Sequence, residues 1–295
     1  MNQNDRNAVR LLVRAREDFQ AMRKRMDNRL GRKANGETQD IPEREIQESD
    51  AIMFVGVADA AHEQEAEIEK SLQKVLKRFP IYTEFLSDVK GVGPIAAGWI
   101  IAEYDIHKAT TVSKLWQFTG LNPGMVKGKK RIENDDGTFS LVPTGQMVRG
   151  DKLTPGHVAP FNKRLRTAMV GVLADGFIKA GLRWADTDEA SYVEESVYCR
   201  IKDKKYQAAV IGSEYVELYM QYKERLGHSD SVVSTDDPAK AKTWSEESKG
   251  RRDRAAKRYM IKMFLKDLYV AWRTIEGLSV REPYQEQYLG QKHSA

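Results

Sequence analysis

Residues 89–101 read VKGVGPIAAGWII, and few stretches of the chain leave the backbone so little choice. Gly91 and Gly93, one residue apart, permit a tight turn with positive φ and a backbone unobstructed by Cβ atoms. Pro94 fits the first turn of a following helix, where a missing N–H costs nothing. Ala97 is small enough for two helices to approach closely, and Trp99, Ile100 and Ile101 continue the apolar pattern. Upstream, Phe85, Leu86 and Val89 fall on one face of a helix leading into the turn. This is the pattern of a helix-hairpin-helix, whose turn and helix start form an anion site suited to a nucleic-acid phosphate. In that reading Lys90, Gly91, Val92 and Gly93 hold the phosphate. The same residues also fit a Gly-Pro turn between two core helices, with no ligand.

The remaining pattern predicts a mainly α chain. Val9, Leu12, Phe19, Met22, Met26 and Leu30 recur at helical spacing from residue 4 to about 31. Residues 32–48 carry Gly, Pro and many charges and read as a link. A second helix is expected after Ser49-Asp50, with Ala61, Ile68, Leu72, Val75 and Phe79 on one face, interrupted by Pro80. The two helices form either an antiparallel hairpin or a dimerising coiled coil. Leu115, Trp116 and Phe118 predict a short helix ending at Gly120. Asp136-Gly137 predicts a turn between short β arms over 132–141. Residues 142–160, with Pro143, Pro155 and Pro160, are expected to be irregular. Leu165, Ala168, Met169, Val172, Leu173 and Phe177 stripe a helix over 161–180. Further helix is expected over 190–226, an exposed loop over 227–246, and a last helix over 249–276. That helix carries Met260, Met263, Phe264, Asp267, Leu268, Ala271 and Trp272 on one face. The tail after Pro283 reads as extended. The expected organisation is a helical arm or coiled coil over 1–80, a helix-hairpin-helix domain with a small β-hairpin insertion over 81–180, and a helical extension over 181–295.

Composition narrows the chemistry. One cysteine, Cys199, excludes a disulfide framework and cysteine-rich zinc sites. The five histidines are scattered and form no HExxH, so no metal site and no cofactor is expected. No signal-peptide core and no run of membrane-spanning length occurs, which points to a bacterial cytoplasmic protein without membrane contact. The net charge of +5 is a weak argument for nucleic acid. The local clusters are stronger: Lys127, Lys129, Lys130 and Arg131; Arg149, Lys152, Lys163, Arg164 and Arg166; and Lys249, Arg251, Arg252, Arg254, Lys257 and Arg258. The first two follow the glycine turn closely and extend its footprint along a phosphate backbone. Trp99, Trp116 and Trp184 are expected in the core.

The stretches FLSDVKGVGPIAAGWIIAE, KLWQFTGLNPG and FNKRLRTAMVGVL, in that order, resemble the C-terminal transposase domain of a bacterial insertion-sequence family. RRDRAAKRYMIKMFLKDLYVAWR resembles the terminal helix of transposase-like relatives. Together these cover roughly half the chain. Full-length members join a RuvC-like DEDD domain to a coiled coil and this domain. The resemblance implies binding to DNA, in some members guided by a structured RNA, with strand exchange at the ends of a mobile element. It also implies nucleoid association.

Two departures matter. Residues 1–80 offer no strands to carry the four metal-binding carboxylates of the RuvC-like part. The family's nucleophilic Ser-Gly pair has no plain counterpart. Measured from Gly120 its place holds Lys127-Gly128. Measured back from Asn162 and Arg166 it holds Thr144-Gly145. Thr144 is therefore one candidate nucleophile and Ser140 a weaker one, with Arg164 and Arg166 as phosphate ligands. Three readings follow: a DNA-binding transposase-family protein acting in transposition or recombination; an active recombinase using Thr144 or Ser140 with a RuvC-like nuclease partner; and a non-catalytic regulatory or structural homodimer joined through the N-terminal helices.

Overall fold

The computed structural model describes residues 3–31, 48–186, 197–202, 205–233 and 241–281. The link over 32–47 and the tail after Pro283 lie outside the described residues. The protein is mainly helical, and no helix among the described residues is long and apolar enough to cross a membrane. The chain divides into two compact units, one of Met1–Ser87 with Gly93–Tyr104, the other of Asp88–Val92 with Asp105–Ala295.

The first unit is built on α1 (Gln3–Arg29), α2 (Glu48–Leu76) and α3 (Pro94–Glu103). A π-helical turn at Tyr82–Leu86 precedes α3. Ion pairs fix α1 and α2 as an antiparallel hairpin: Asp5 pairs with Arg78 at 2.9 Å, and Arg16 with Glu69 at 3.0 Å. Glu65 is buried, and its two oxygens meet Arg16 at 2.6 Å and Arg23 at 2.8 Å. The hydrogen bond that Arg23 donates to Glu65 raises its guanidinium above the ordinary value. Val9 and Val13 from α1 and Ala58, Ala61, Leu72 and Leu76 from α2 are buried. The expected stripe is only partly right, because Met22 is exposed and Val13 takes a core place. The second helix begins at Glu48, so Ser49 and Asp50 lie within its first turn rather than capping it.

Helix α3 is apolar all round, as a helix enclosed by others must be. Gly98 makes the close approach: a Cβ there would lie 2.8 Å from Val13 Cγ2 and 3.1 Å from Leu72 Cδ2. Trp99 Nε1 donates to Glu17 at 2.7 Å. The last carbonyls of any α-helix lack intrahelical partners. Here Arg6, itself buried, donates to Ile101 O at 3.1 Å and to Tyr104 O at 2.6 Å, and Arg10 donates to Ala102 O at 2.8 Å.

The second unit holds α4 (Val112–Thr119), an antiparallel ribbon of β1 (Met125–Glu133) and β2 (Phe139–Arg149), α5 (Lys163–Arg166), a π-helical segment at Thr167–Leu173, and α6 (Ala174–Gly181). Strands β3 (Leu182–Asp186), β4 (Val197–Lys202) and β5 (Lys205–Ile211) then form a second antiparallel sheet in the order β3-β5-β4. Helices α7 (Glu214–Gly227) and α8 (Lys249–Ile275) complete the unit. Its core centres on Phe177, Tyr215 and Phe264, whose ring centroids are 5.1–5.6 Å apart. Asp267, the lone polar residue of the α8 stripe, accepts from the Tyr215 hydroxyl at 2.8 Å. Burial raises both groups above their ordinary values. Arg273 is buried and donates to Ile106 O and Ala109 O, each at 3.0 Å.

Three expectations are corrected here. Residues 142–149 are not irregular, because β2 runs through them. Pro143 is tolerated since a two-stranded ribbon has only edge strands. Among the described residues of the span 190–226, helix begins only at Glu214, because Tyr198, Ile201, Tyr206 and Val210 belong to strands, where β-branched and aromatic residues fit a pleated surface. The helix over 163–181 changes to i→i+5 bonding at Thr167–Leu173. That extra residue per turn rotates Val172 out of the expected stripe to 50% exposure, while Met169 and Phe177 stay buried.

Replacing Arg6 by Met is expected to lower stability by about 2–3 kcal/mol, since it leaves two helix-end carbonyls unpaired behind a buried side chain. Arg10→Met, on a half-buried contact, is expected to cost under about 1 kcal/mol. Denaturant unfolding followed by circular dichroism checks the difference.

Candidate nucleic-acid interface

The glycine turn has two unequal halves. Gly91 adopts φ +99°, and a Cβ there would lie 2.8 Å from both Cα and Cδ1 of Phe177 and 3.1 Å from Gly176 O. Backbone therefore meets backbone on α6, and Gly176 leaves room from the other side, its own Cβ position lying 3.1 Å from Gly91 O. Gly91 is required for packing inside the second unit. Gly93 has φ −81° and nothing within 4 Å of a Cβ. It begins α3 in the first unit, without a side-chain cap and with Pro94 at the helix start. The Ile95 and Ala96 N–H groups are thus the open donors of that helix by position. Val92 is buried. Lys90 donates to Gly212 O at 3.2 Å and lines a cleft of about 490 Å³ with Lys179 and Arg183.

The GLNPG turn carries the ribbon. Gly120 ends α4 in the left-handed region at φ +75°, and a Cβ there would strike the Phe161 ring at 2.7 Å. Leu121 N bonds Trp116 O at 2.8 Å, the closing bond of a glycine-terminated helix. Asn122 Oδ1 accepts from Gly124 N at 3.0 Å, and Gly150 N bonds Gly124 O at 2.8 Å. The base of the ribbon is thereby tied to the end of α4. Asn162 N bonds Phe118 O at 2.9 Å, and its side chain caps α5 by accepting from Leu165 N at 3.0 Å.

On the ribbon, Lys127, Lys129, Lys130 and Arg131 are all exposed, as are Met125, Ile132, Phe139, Leu141, Val142 and Met147. The Arg131 guanidinium lies 3.7 Å from the centroid of the Phe139 ring. Glu133, Asp135 and Asp136 gather at the tip, where hydrogen bonds from Thr138 hold the Asp136 carboxyl below the usual carboxylate range. The cations run along the middle of β1, between the base at Met125 and the acidic tip. Lys163 is exposed at the start of α5, and Arg164 beside it is half-buried. Arg166 is committed elsewhere: it donates to Asp151 O and lies 4.9 Å from the Phe161 ring centroid, and burial lowers its guanidinium below the ordinary value. It fastens a loop rather than presenting a free cation.

The two candidate positions for the missing serine converge. Lys127 pairs with Met147 and Lys129 with Pro143, so the bulge at Gly128 faces the Thr144-Gly145 corner. A Cβ on Gly128 would lie 2.8 Å from Thr144 Oγ1 and 2.6 Å from His157 Cδ2. Thr144 Oγ1 is 3.1 Å from His157 Nε2, and His157 Nδ1 is 3.1 Å from Pro155 O. A carbonyl only accepts, so in the neutral ring Nδ1 carries the proton and Nε2 accepts from the threonine hydroxyl. A Thr154–His157 turn with Gly156 at φ +72° presents the imidazole, and Val158 N bonds Lys129 O at 2.8 Å to hold that turn against β1. His157 was not among the residues expected from sequence; thirteen residues separate it from Thr144. Its only sequence signal is the turn-forming Pro155-Gly156 before it. Ser140, the weaker candidate, instead accepts from Asn134 Nδ2 at 2.9 Å near the ribbon tip.

Trp99 and Trp116 are buried, as expected. Trp116 Nε1 donates to Lys262 O at 3.1 Å. The Trp184 side chain lies outside the described residues. Among the described residues no group of His, Cys, Asp and Glu side chains is placed to hold a metal ion. No protein-family model, curated protein or solved structure matches the chain.

Gly91→Ala is expected to destabilise the protein by about 2–4 kcal/mol through positive φ and backbone overlap. Gly93→Ala is expected to cost less than about 1 kcal/mol, the scale of a lost glycine cap. Thermal unfolding of the two single variants measures the contrast.

Proposed function

We propose that the chain binds the phosphate backbone of DNA as a transposase-family protein and acts in transposition or recombination of a mobile element. The observation that carries this reading is the exposed ribbon with Lys127, Lys129, Lys130 and Arg131 on one strand. A two-stranded ribbon has little stability of its own, so its exposure is not explained by packing. A ribbon of this width also fits the major groove of duplex DNA. The family resemblance supports the choice of DNA, because GVGPIAAGWII, GLNPG and FNKRLR stand in the family's order. Lys163 and Lys90, in the same unit as the ribbon, add to its positive charge.

Each phosphate neutralised on duplex DNA adds about 0.9 to the slope of log affinity against log salt. Replacing Lys127, Lys129, Lys130 and Arg131 together by Gln is expected to flatten that slope by up to about 3.6. A gel-shift titration across salt concentrations reads it. A wild-type slope near zero would rule the proposal out.

A second reading, an active recombinase with Thr144 as nucleophile, is favoured by the Thr144–His157 hydrogen bond. Nε2 is oriented to take the hydroxyl proton as Oγ1 attacks phosphorus, and a bridging P–O bond breaks to release a ribose oxygen. A nicked duplex that traps intermediates is expected to give a covalent adduct on a denaturing gel. Thr144→Ala should abolish the adduct and His157→Ala should reduce it at least about 100-fold, while Ser140→Ala leaves it intact. An adduct that survives Thr144→Ala refutes this second reading.

A further inference from the structure

Behind the ribbon base, the second unit contains a cavity of about 220 Å³ lined by Arg149, Asp151, Tyr222, Arg258, Tyr259 and Lys262, among others. Three cations thus face one carboxylate. That carboxylate is already used: Arg149 Nε and Nη2 each meet an oxygen of Asp151 at 3.0 Å. Arg258 and Lys262 lie one turn apart on α8 and are half-buried. Neither side-chain cation has a hydrogen-bond or ion-pair partner among the described residues. The Lys262 ammonium lies 5.1 Å from the centroid of the Trp116 ring, and the Asp151 charge acts on both cations without contacting either. Burial pushes the Arg258 guanidinium below its ordinary value, and nearby Arg166 adds to the shift. Burial and then Arg258 do the same to Lys262.

A half-buried cation without a counterion lowers stability, and two side by side lower it further. Elsewhere in this protein the buried arginines are satisfied: Arg6 and Arg273 each donate to several carbonyls. The wall of the cavity includes Tyr222 and Tyr259, stacked at 4.2 Å between centroids and 14° between planes. A guanidinium, an ammonium and an aromatic wall around a small open space match an oxyanion carried on a flat, partly apolar group. We infer that this cavity is a nucleotide-phosphate site, in which Arg258 and Lys262 bind the phosphate oxygens and the tyrosine pair faces the attached nucleoside.

The two proposed phosphate ligands lie on α8 and not on β1, so the failure of this site and that of the ribbon reading can be told apart. Inorganic phosphate is expected to raise the melting temperature of the full chain by about 2–4 °C over chloride at equal ionic strength. Arg258→Met removes one of the two adjacent half-buried cations but keeps the aliphatic stem. It is expected to melt higher than wild type without phosphate and to lose the phosphate response. Lys262→Gln should also lose that response, which covers the case in which Arg258→Met folds poorly. Lys90→Gln and the four-residue ribbon variant should keep it. A 5′-mononucleotide and a short duplex at equal phosphate concentration separate the sources. The larger shift identifies a free nucleotide or a nucleic-acid backbone as the natural carrier, and either supports the site. No phosphate-specific shift in wild type, or a shift retained by both Arg258→Met and Lys262→Gln, overturns it.

Discussion

The backbone of 88–92 rests directly on helix α6, with no side chain between Gly91 and Phe177. This contact sets how the second unit is threaded, because it fixes the segment that leads into α3 against the centre of the Phe177, Tyr215 and Phe264 core. Gly91 is required for it and Gly176 eases it, and the two come from distant parts of the chain. The turn that looks in sequence like a ligand clamp is thus first a packing device at Gly91. Any ligand-facing role falls to Gly93 and the helix start beyond it, where neither φ nor neighbouring atoms restrict the residue.

The basic residues divide by what they satisfy. Arg6, Arg10 and Arg273 donate to carbonyls that no helix or strand pairs, and Arg166 secures a loop carbonyl. Each replaces water at a helix end or a loop, a use of guanidinium geometry that a lysine would not reproduce. Lys127, Lys129, Lys130 and Arg131 are held away from the body of the unit on a ribbon. Arg258 and Lys262 belong to neither group, being enclosed like the first and unpaired like the second. A charge run in sequence mixes all three kinds, since Arg254, Lys257 and Arg258 are neighbours in the chain and face different surroundings. Lys257 meets Asp175 at 2.8 Å and Asp253 at 3.2 Å.

Helical periodicity made α1, α2, α4 and α8 legible, together with the buried Trp99 and Trp116. It worked because each buries one face against a neighbour within its own unit. The glycine stop at Gly120 and the turn at Asp136-Gly137 were legible for local reasons, positive φ and turn chemistry. What failed depends on partners distant in sequence. Pro143 reads as a break until β1 is known to be its only neighbour. Val172 reads as core until the π segment rotates it outward. Tyr198 to Val210 carry apolar residues compatible with either period, and strand pairing decides between them. Asp267 reads as an intruder in an apolar stripe until Tyr215 is opposite it. His157 had no signal of its own, because only the fold of the ribbon and the Pro155-Gly156 turn brings it to Thr144.

The Thr144–His157 pair is oriented but weakly supported. A carbonyl behind Nδ1 fixes the tautomer, yet it cannot offset a full positive charge as a carboxylate would. Proton transfer from Thr144 would therefore leave an imidazolium whose stabilisation must come from the anion under attack. A phosphodiester supplies that charge where a neutral substrate would not. The exposed lysines on β1 would offset the remaining negative charge on the same phosphate. The pair's chemistry and the ribbon's charge thus favour the same class of substrate. The missing Cβ at Gly128 is the structural condition for the pair, since a Cβ there would displace the imidazole and the threonine hydroxyl.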